Sequence, residues 1–334
     1  MIIDVHGHVT APMGLYAYKA ELLASRGSHG RGRLSFTDDQ IREALQAPLK
    51  PLGGMSHLDQ LDEVGIDLQL TSPRPFQSMH SEDPPTIVEW FCEATNDVIA
   101  QVCSVMPDRF RGVAGLPQSP DRDPAQWTKE LRRCVQELGF VGCLLNPDPY
   151  EGTKVPPALG DRYWYPVYEA LCELDVPAMI HSAGCRAPAR ESYSVHFVAE
   201  ETIAIISLLS SDVFRDFPTL KIIVPHGGGA VPYQVGRFQS TAERQGASPF
   251  LDRLRQLWFD CTLYTQDAVE LLIRAVGADR VLLGTEKPGV GSAKDPTTGR
   301  WYDDVPGHLR AISWLGDEDR DKILTGNAQA LFRL

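Results

Sequence analysis

A beat repeated eight times along the chain constrains its fold more than any other feature. Short apolar runs, rich in β-branched residues, alternate with longer amphipathic stretches. The runs are MIIDVH (1–6), DLQLTS (67–72), FRGVAGLP (110–117), VGCLLN (141–146), PAMIHS (177–182), KIIVPH (221–226), LWFDCTLY (257–264) and RVLLGTE (280–286). Helical patterns are expected near 56–65, 84–106, 124–138, 164–174, 198–216, 232–244, 266–277 and 317–332. Strands covered by helices on both faces read as continuous apolar runs. Strand–helix–strand units in series imply right-handed crossovers and a parallel sheet. Eight units predict a closed (β/α)8 TIM barrel of the α/β class. The rival, an open doubly wound sheet, would carry a Gly-rich dinucleotide fingerprint after the first strand. HGH stands there instead.

The chain has 334 residues, 43% of them hydrophobic, enough for the core of one such barrel spanning 1–334. No Pro/Gly/Ser linker divides it. Residues 9–55 form a long loop insertion after the first strand, including the basic, Gly-rich RGSHGRGR, and are expected to lie over the active-site face.

In such a barrel the C-terminal strand ends together make the active-site face. His6 and His8, two apart on a strand, can converge on one point. His181 ends the fifth run, His226 the sixth and Glu286 the eighth. Three neutral imidazoles and a carboxylate suit a divalent ion of borderline softness, Zn2+ first, with Mn2+ or another divalent metal acceptable. His6, His8, His181 and Glu286 are assigned to the metal, and His226 to acid–base work beside it. A single carboxylate leaves the centre net positive, which favours a small anionic substrate.

Further groups follow the same strand ends. Arg74, in TSPRP, can grip a carboxylate with its guanidinium fork. Asn146 either binds substrate or opens a turn. Arg190 and His196 are placed in the loop after the fifth strand, and Arg237 in the helix after the sixth; all three are candidate substrate contacts. Lys287 can point toward the site or away. Asp260 can accept a hydrogen bond from a ligand histidine or serve the core.

Composition removes other classes. Net charge is −12 and pI about 5.2, and no Lys/Arg-rich block occurs, so nucleic-acid binding is not expected. No apolar run reaches the roughly 20 residues of a membrane span. No charged segment followed by an apolar one marks a secretory signal. Seven cysteines without a C-x-x-C spacing read as buried, reduced thiols, which fits a cytoplasmic protein. No P-loop and no G-x-S-x-G elbow is present.

The order of H-x-H on strand one, histidines on strands five and six and an acid on strand eight resembles the amidohydrolase superfamily. Within it the chain is similar to the decarboxylases and hydratases that act on carboxylated aromatics and their ring-fission products. IIDVHGHVT, SPRP, VAGLPQSP, ELGFVGCLLNPDP, DRYWYPVYEALCELDVPAMIH, FPTLKIIVPHGGGAVPY, GRF and DPTTGRWYDD all resemble the 4-oxalomesaconate hydratase family. The decarboxylase branch carries Asp at the eighth strand, whereas Glu286 matches the hydratases. The resemblance implies zinc held by His6, His8, His181 and Glu286. It also implies a hydro-lyase adding water to the conjugated C=C of a di- or tricarboxylate, 4-oxalomesaconate first, in protocatechuate or gallate degradation. Glu286 and His226 would share the proton transfers, and a homodimer is common in related barrels. A non-oxidative decarboxylase of a hydroxylated aromatic acid is the alternative, and a metal-dependent lactonase a third. The chain departs from the hydratase pattern at Lys287, where an apolar residue is expected, in TLYTQD, where a histidine is, and at His196, where a tyrosine is.

Overall fold

All eight apolar runs become strands. The computed structural model describes residues 1–186 and 193–334. It contains β1 (Ile3–His8), β2 (Leu68–Ser72), β3 (Phe110–Ala114), β4 (Gly142–Leu145), β5 (Ala178–Ile180), β6 (Ile222–Val224), β7 (Trp258–Asp260) and β8 (Val281–Leu282). Their order in the sheet is their order in the chain, and each pairs with the next in parallel. The ring closes where Val5 N–H donates to Leu283 O and Glu286 N–H to His6 O, at 2.9 and 2.8 Å. The architecture is a (β/α)8 barrel, as the strand count predicts.

The first helices are α1 (Met13–Ser25), α2 (Asp38–Gln46), α3 (His57–Val64), α4 (Pro85–Val105), α5 (Pro124–Gln136) and α6 (Tyr165–Leu174). Then come α7 (Tyr193–Leu209), α8 (Val213–Asp216), α9 (Val235–Arg244), α10 (Phe250–Leu254) and α11 (Gln266–Val276). The chain ends in α12 (Val305–Ala311), α13 (Asp317–Asp321) and α14 (Asn327–Phe332). Local chemistry sets several of these boundaries. Ser56 accepts a hydrogen bond from Asp59 N–H to open α3, and Gly65 closes it at φ 77°, where a Cβ is disfavoured. Asp123 caps α5 with Pro124 following it.

Two expectations change. The stretch 9–55 is not plain loop: it holds α1 and α2, which pack Leu15, Tyr18, Leu22, Ile41 and Leu45 into the core. The signal for α2 is present in the sequence, since Thr37 and Gln40 form a reciprocal capping box. The helix expected over 198–216 begins at 193 instead and breaks into α7 and α8, which places His196 in the first turns of a helix rather than in a loop.

The core has two parts. The larger lies between the barrel and its helices. The smaller fills the barrel with Ile3, Val5, Leu68, Leu70, Val113, Leu144, Met179, Ile223 and Leu282, and α14 corks its floor with Leu331 and Phe332. No disulfide joins any of the seven cysteines. Among the described residues no helix is long and apolar enough to cross a membrane.

One irregularity in β1 positions the site. Asp4 pairs with Gln69 but Gly7 with Thr71, so β1 advances three residues while β2 advances two. This is a β-bulge. Strict alternation from Ile3 and Val5, which face the barrel interior, would send His6 and His8 to the opposite face. The extra residue shifts the phase, so that both histidines also turn inward.

Candidate metal centre

The strand tips deliver five polar groups to one spot. His6 and His8 come from the bulged end of β1, His181 follows β5 directly, and His226 and Glu286 lie just past β6 and β8. The His6 ring centroid is 5.1 Å from those of His8 and His181 and 5.2 Å from that of His226. His181 lies 5.2 Å from both His8 and His226. One ligand atom from each of His6, His181, His226 and Glu286 falls within 4.8 Å of the other three. His8 Nε2 is 3.8 Å from Glu286 Oε1. His226 and Glu286 both hold left-handed backbone conformations, at φ 50° and 57°. Such strain in non-glycine residues collects at functional sites.

Hydrogen bonding fixes the tautomer of three of the imidazoles. His6 Nδ1 lies 2.6 Å from Asp260 Oδ2, and His181 Nδ1 lies 2.9 Å from Ser182 O. A carboxylate and a carbonyl only accept, so each Nδ1 carries the proton. His8 Nδ1 is 2.9 Å from Ser72 Oγ, whose own hydrogen goes to the Gly7 carbonyl; His8 Nδ1 therefore donates too. The Nε2 atoms of all three rings are buried without a hydrogen-bond partner. Three bare lone pairs meeting beside a carboxylate are the donor set of a divalent ion, and partners of this kind on the remote nitrogen fix ring orientation at metal sites. The residues present fit such an ion.

Electrostatics separates His8 and His181 from His226. Burial holds His8 and His181 well below the usual histidine range, so both are neutral. Burial acts on His226 in the same direction, but Glu201 and then Glu286 outweigh it and lift its pKa to about 10. His226 Nδ1 is 2.8 Å from Glu201 Oε1, and its Nε2 is 3.9 Å from Glu286 Oε2. Burial would raise Asp260, yet His6 overrides it and keeps that carboxyl below its ordinary value.

Behind the histidines a buried polar frame fixes the two strand ends. Asp4 accepts from His6 N–H, Gln69 Nε2, Thr285 N–H and the Thr285 hydroxyl. Gln69 Nε2 also donates to Lys287 O, and its Oε1 meets His57 Nε2 at 2.8 Å.

A cleft of about 540 Å³ opens onto His8 and Glu286. Met13, Tyr16, Leu49 and Leu52 of the insertion form part of its wall, and Arg74 is the cation among its described lining residues. Arg74 is half-buried, with one guanidinium nitrogen 3.4 Å from Pro288 O.

The other groups singled out in the sequence are not among the described lining residues of this cleft. Asn146 is buried and bonded within its own turn, accepting from Asp148 N–H and donating to Asp148 O. Arg237 is exposed on α9. His196 is buried in α7 with Nδ1 4.0 Å from Glu200 Oε1; its neighbour Phe197 is the residue that lies against the His181 and His226 rings. Arg190 lies outside the described residues. Lys287 turns away from the cleft into a fully buried pair with Asp303 at 2.7 Å, its Nζ 4.2 Å above the Trp301 ring.

Several partners escape a reading of the sequence. Glu201 sits 25 residues before the histidine it serves. Ser72 ends the second apolar run, where a polar residue at a strand tip was a usable signal. Tyr264, in TLYTQD, donates to Glu286 Oε2 at 2.7 Å.

The match to known proteins runs the length of the chain. The family model described as amidohydrolase matches residues 3–334. The 2-keto-4-carboxy-3-hexenedioate hydratase of Sphingobium sp. (strain NBRC 103272 / SYK-6) is 40% identical over 338 residues, covering 99% of this chain and 96% of that protein. The crystal structure of 4-oxalomesaconate hydratase from Rhodopseudomonas palustris superposes with a TM-score of 0.88 at 35% identity, covering 100% of this chain and 96% of the other. A dihydroxybenzoic acid decarboxylase from Polaromonas sp. JS666, solved with bound manganese and the inhibitor 2-nitroresorcinol, gives a TM-score of 0.73 at 25% identity, covering 100% and 97%. With its strand-tip histidines, its acid on the eighth strand and a family match from residue 3 to the last, the chain belongs to the amidohydrolase family.

Proposed function

We propose that this chain is a divalent-metal-dependent hydratase that adds water to the conjugated C=C of a polycarboxylate ring-fission product, with 4-oxalomesaconate as the first candidate substrate. The observation that carries this reading is the meeting of three bare imidazole nitrogens with Glu286 in a cleft that also holds Arg74. The two hydratase relatives, at 40% and 35% identity, point to the same reaction.

His6, His8, His181 and Glu286 would hold the ion. His226, which also lies within reach of His6, His181 and Glu286, is assigned to the proton transfers instead, because Glu201 and Glu286 raise its pKa. A divalent ion in this shell supplies Lewis acidity, which acidifies water and polarises a carbonyl. Zinc suits the donor set, and manganese is the metal in the decarboxylase relative.

The protein's own groups do the rest. Arg74 orients the substrate through one carboxylate. Glu286 takes the proton from the attacking water. Enolate charge then builds on the substrate carbonyl, and the His226 imidazolium stands beside Glu286 to stabilise it and to return a proton to the adjacent carbon.

Incubating metal-loaded protein with 4-oxalomesaconate and following the loss of enol absorbance tests this reading. Steady decay supports it. Release of CO2 from dihydroxybenzoates without any such decay assigns the decarboxylase reaction instead.

A further inference from the structure

The Glu286 backbone is anchored on both sides, but its carboxylate is not. Thr285 bonds to Asp4, Glu286 N–H to His6 O, and Lys287 O accepts from Gln69. None of these contacts sets the last torsion of the side chain, which is intrinsically broad. Among the described residues the hydroxyl that reaches the carboxylate is Tyr264, at 2.7 Å from Oε2. The other oxygen, Oε1, faces His8 Nε2.

The tyrosine occupies a prepared seat. It lies on the loop beyond β7 and packs against Gly291, on the loop beyond β8. A Cβ at Gly291 would stand 2.6 Å from Tyr264 Cε1 and 2.7 Å from Cζ, with Asp303 Cβ at 3.0 Å on the other side. That approach is too close for any side chain. The absence of one at 291 lets the ring lie where its hydroxyl meets Glu286. Asp303, in turn, is held by Lys287 and Ser292.

From this geometry we propose that Tyr264 is a positioning residue for Glu286: it ties down Oε2 and so keeps Oε1 turned toward the histidine cluster and the ion. The inference rests on the functional reading above, in which Glu286 is both ligand and base. A phenol that only filled space would need no bond to the Glu286 carboxylate.

The experiment pairs Tyr264→Phe with wild type, and then repeats the pair in a Glu286→Ala background. Free Mn2+ is measured by electron paramagnetic resonance during titration of metal-stripped protein. Partners of metal ligands are typically worth 10–100-fold in affinity or activity, so Tyr264→Phe is expected to weaken Mn2+ about tenfold when Glu286 is present and to change nothing in the Glu286→Ala background. In the hydration assay kcat is expected to fall about 10–100-fold with KM within about threefold. Equal weakening in both backgrounds overturns the proposal, because Tyr264 then acts independently of Glu286. A lowered melting temperature with Mn2+ affinity unchanged also overturns it, leaving only a packing role. If the wild type hydrates nothing, the functional reading fails, while the Mn2+ comparison still decides the role of Tyr264.

Discussion

At the scale of single residues, the sequence reveals the clustered polar groups better than it reveals their partners. His6, His8, His181, His226 and Glu286 stand out because a polar group ending an apolar run is conspicuous. Glu201 and Tyr264 do not, because their roles exist only after β6, β7 and β8 come together. For Asn146 and Arg237 the residue type suits either substrate binding or a local role; the structure places one bonded within a turn and the other facing solvent. Two predictions belong here. Glu286→Asp keeps the charge and shortens the arm by one methylene; kcat should fall on the order of 100-fold while metal content stays near wild type, as measured by steady-state kinetics with elemental analysis. Glu201→Gln removes the partner that holds His226 protonated. Burial then draws the His226 pKa down from about 10, so the alkaline limb of the kcat–pH profile should move to lower pH. An unmoved limb would separate His226 from the proton transfer.

At the scale of elements, strand identity was legible and strand geometry was not. Eight apolar runs predict eight strands. Nothing in IDVHGH announces the extra residue that turns Ile3, Val5, His6 and His8 to one side. Gly7 is its physical trace, because a Cβ there would lie 2.1 Å from Gln69 Cδ. Gly7→Ala should therefore displace Gln69 from Asp4 and Lys287, lower stability by about 1–3 kcal/mol and weaken metal binding. Chemical denaturation and metal titration check both arms. The insertion reads as loop because RGSHGRGR dominates its appearance, although the capping pattern before α2 is present in the sequence. Its helices are anchored in the main core, and α1 gives the cleft Met13 and Tyr16.

The whole molecule should respond to pH through its buried histidines. Burial lowers His80 to about 4, and it lowers His57 to about 3 against the opposing bond to Gln69. Both are depressed below the unfolded value, so in acid the unfolded chain binds protons that the native state refuses, and stability falls as pH drops below about 6.5. His80→Gln removes one such proton; between pH 6 and 4.5 the fall should become shallower by about 1.4 kcal/mol per pH unit. Urea melts of metal-free protein across that range measure it, and an unchanged slope would show that His80 takes up its proton in the native state as well.

The floor of the barrel is filled by Leu331 and Phe332, while the cleft lies at the opposite end. Among the described residues the barrel interior is packed, and the cleft is the opening onto His8 and Glu286 that reactant and product share. The hydrated acid must retreat past Arg74 and the hydrophobic side chains of Met13 and Leu52 along the path by which its precursor arrived, and it competes with that precursor at the threshold.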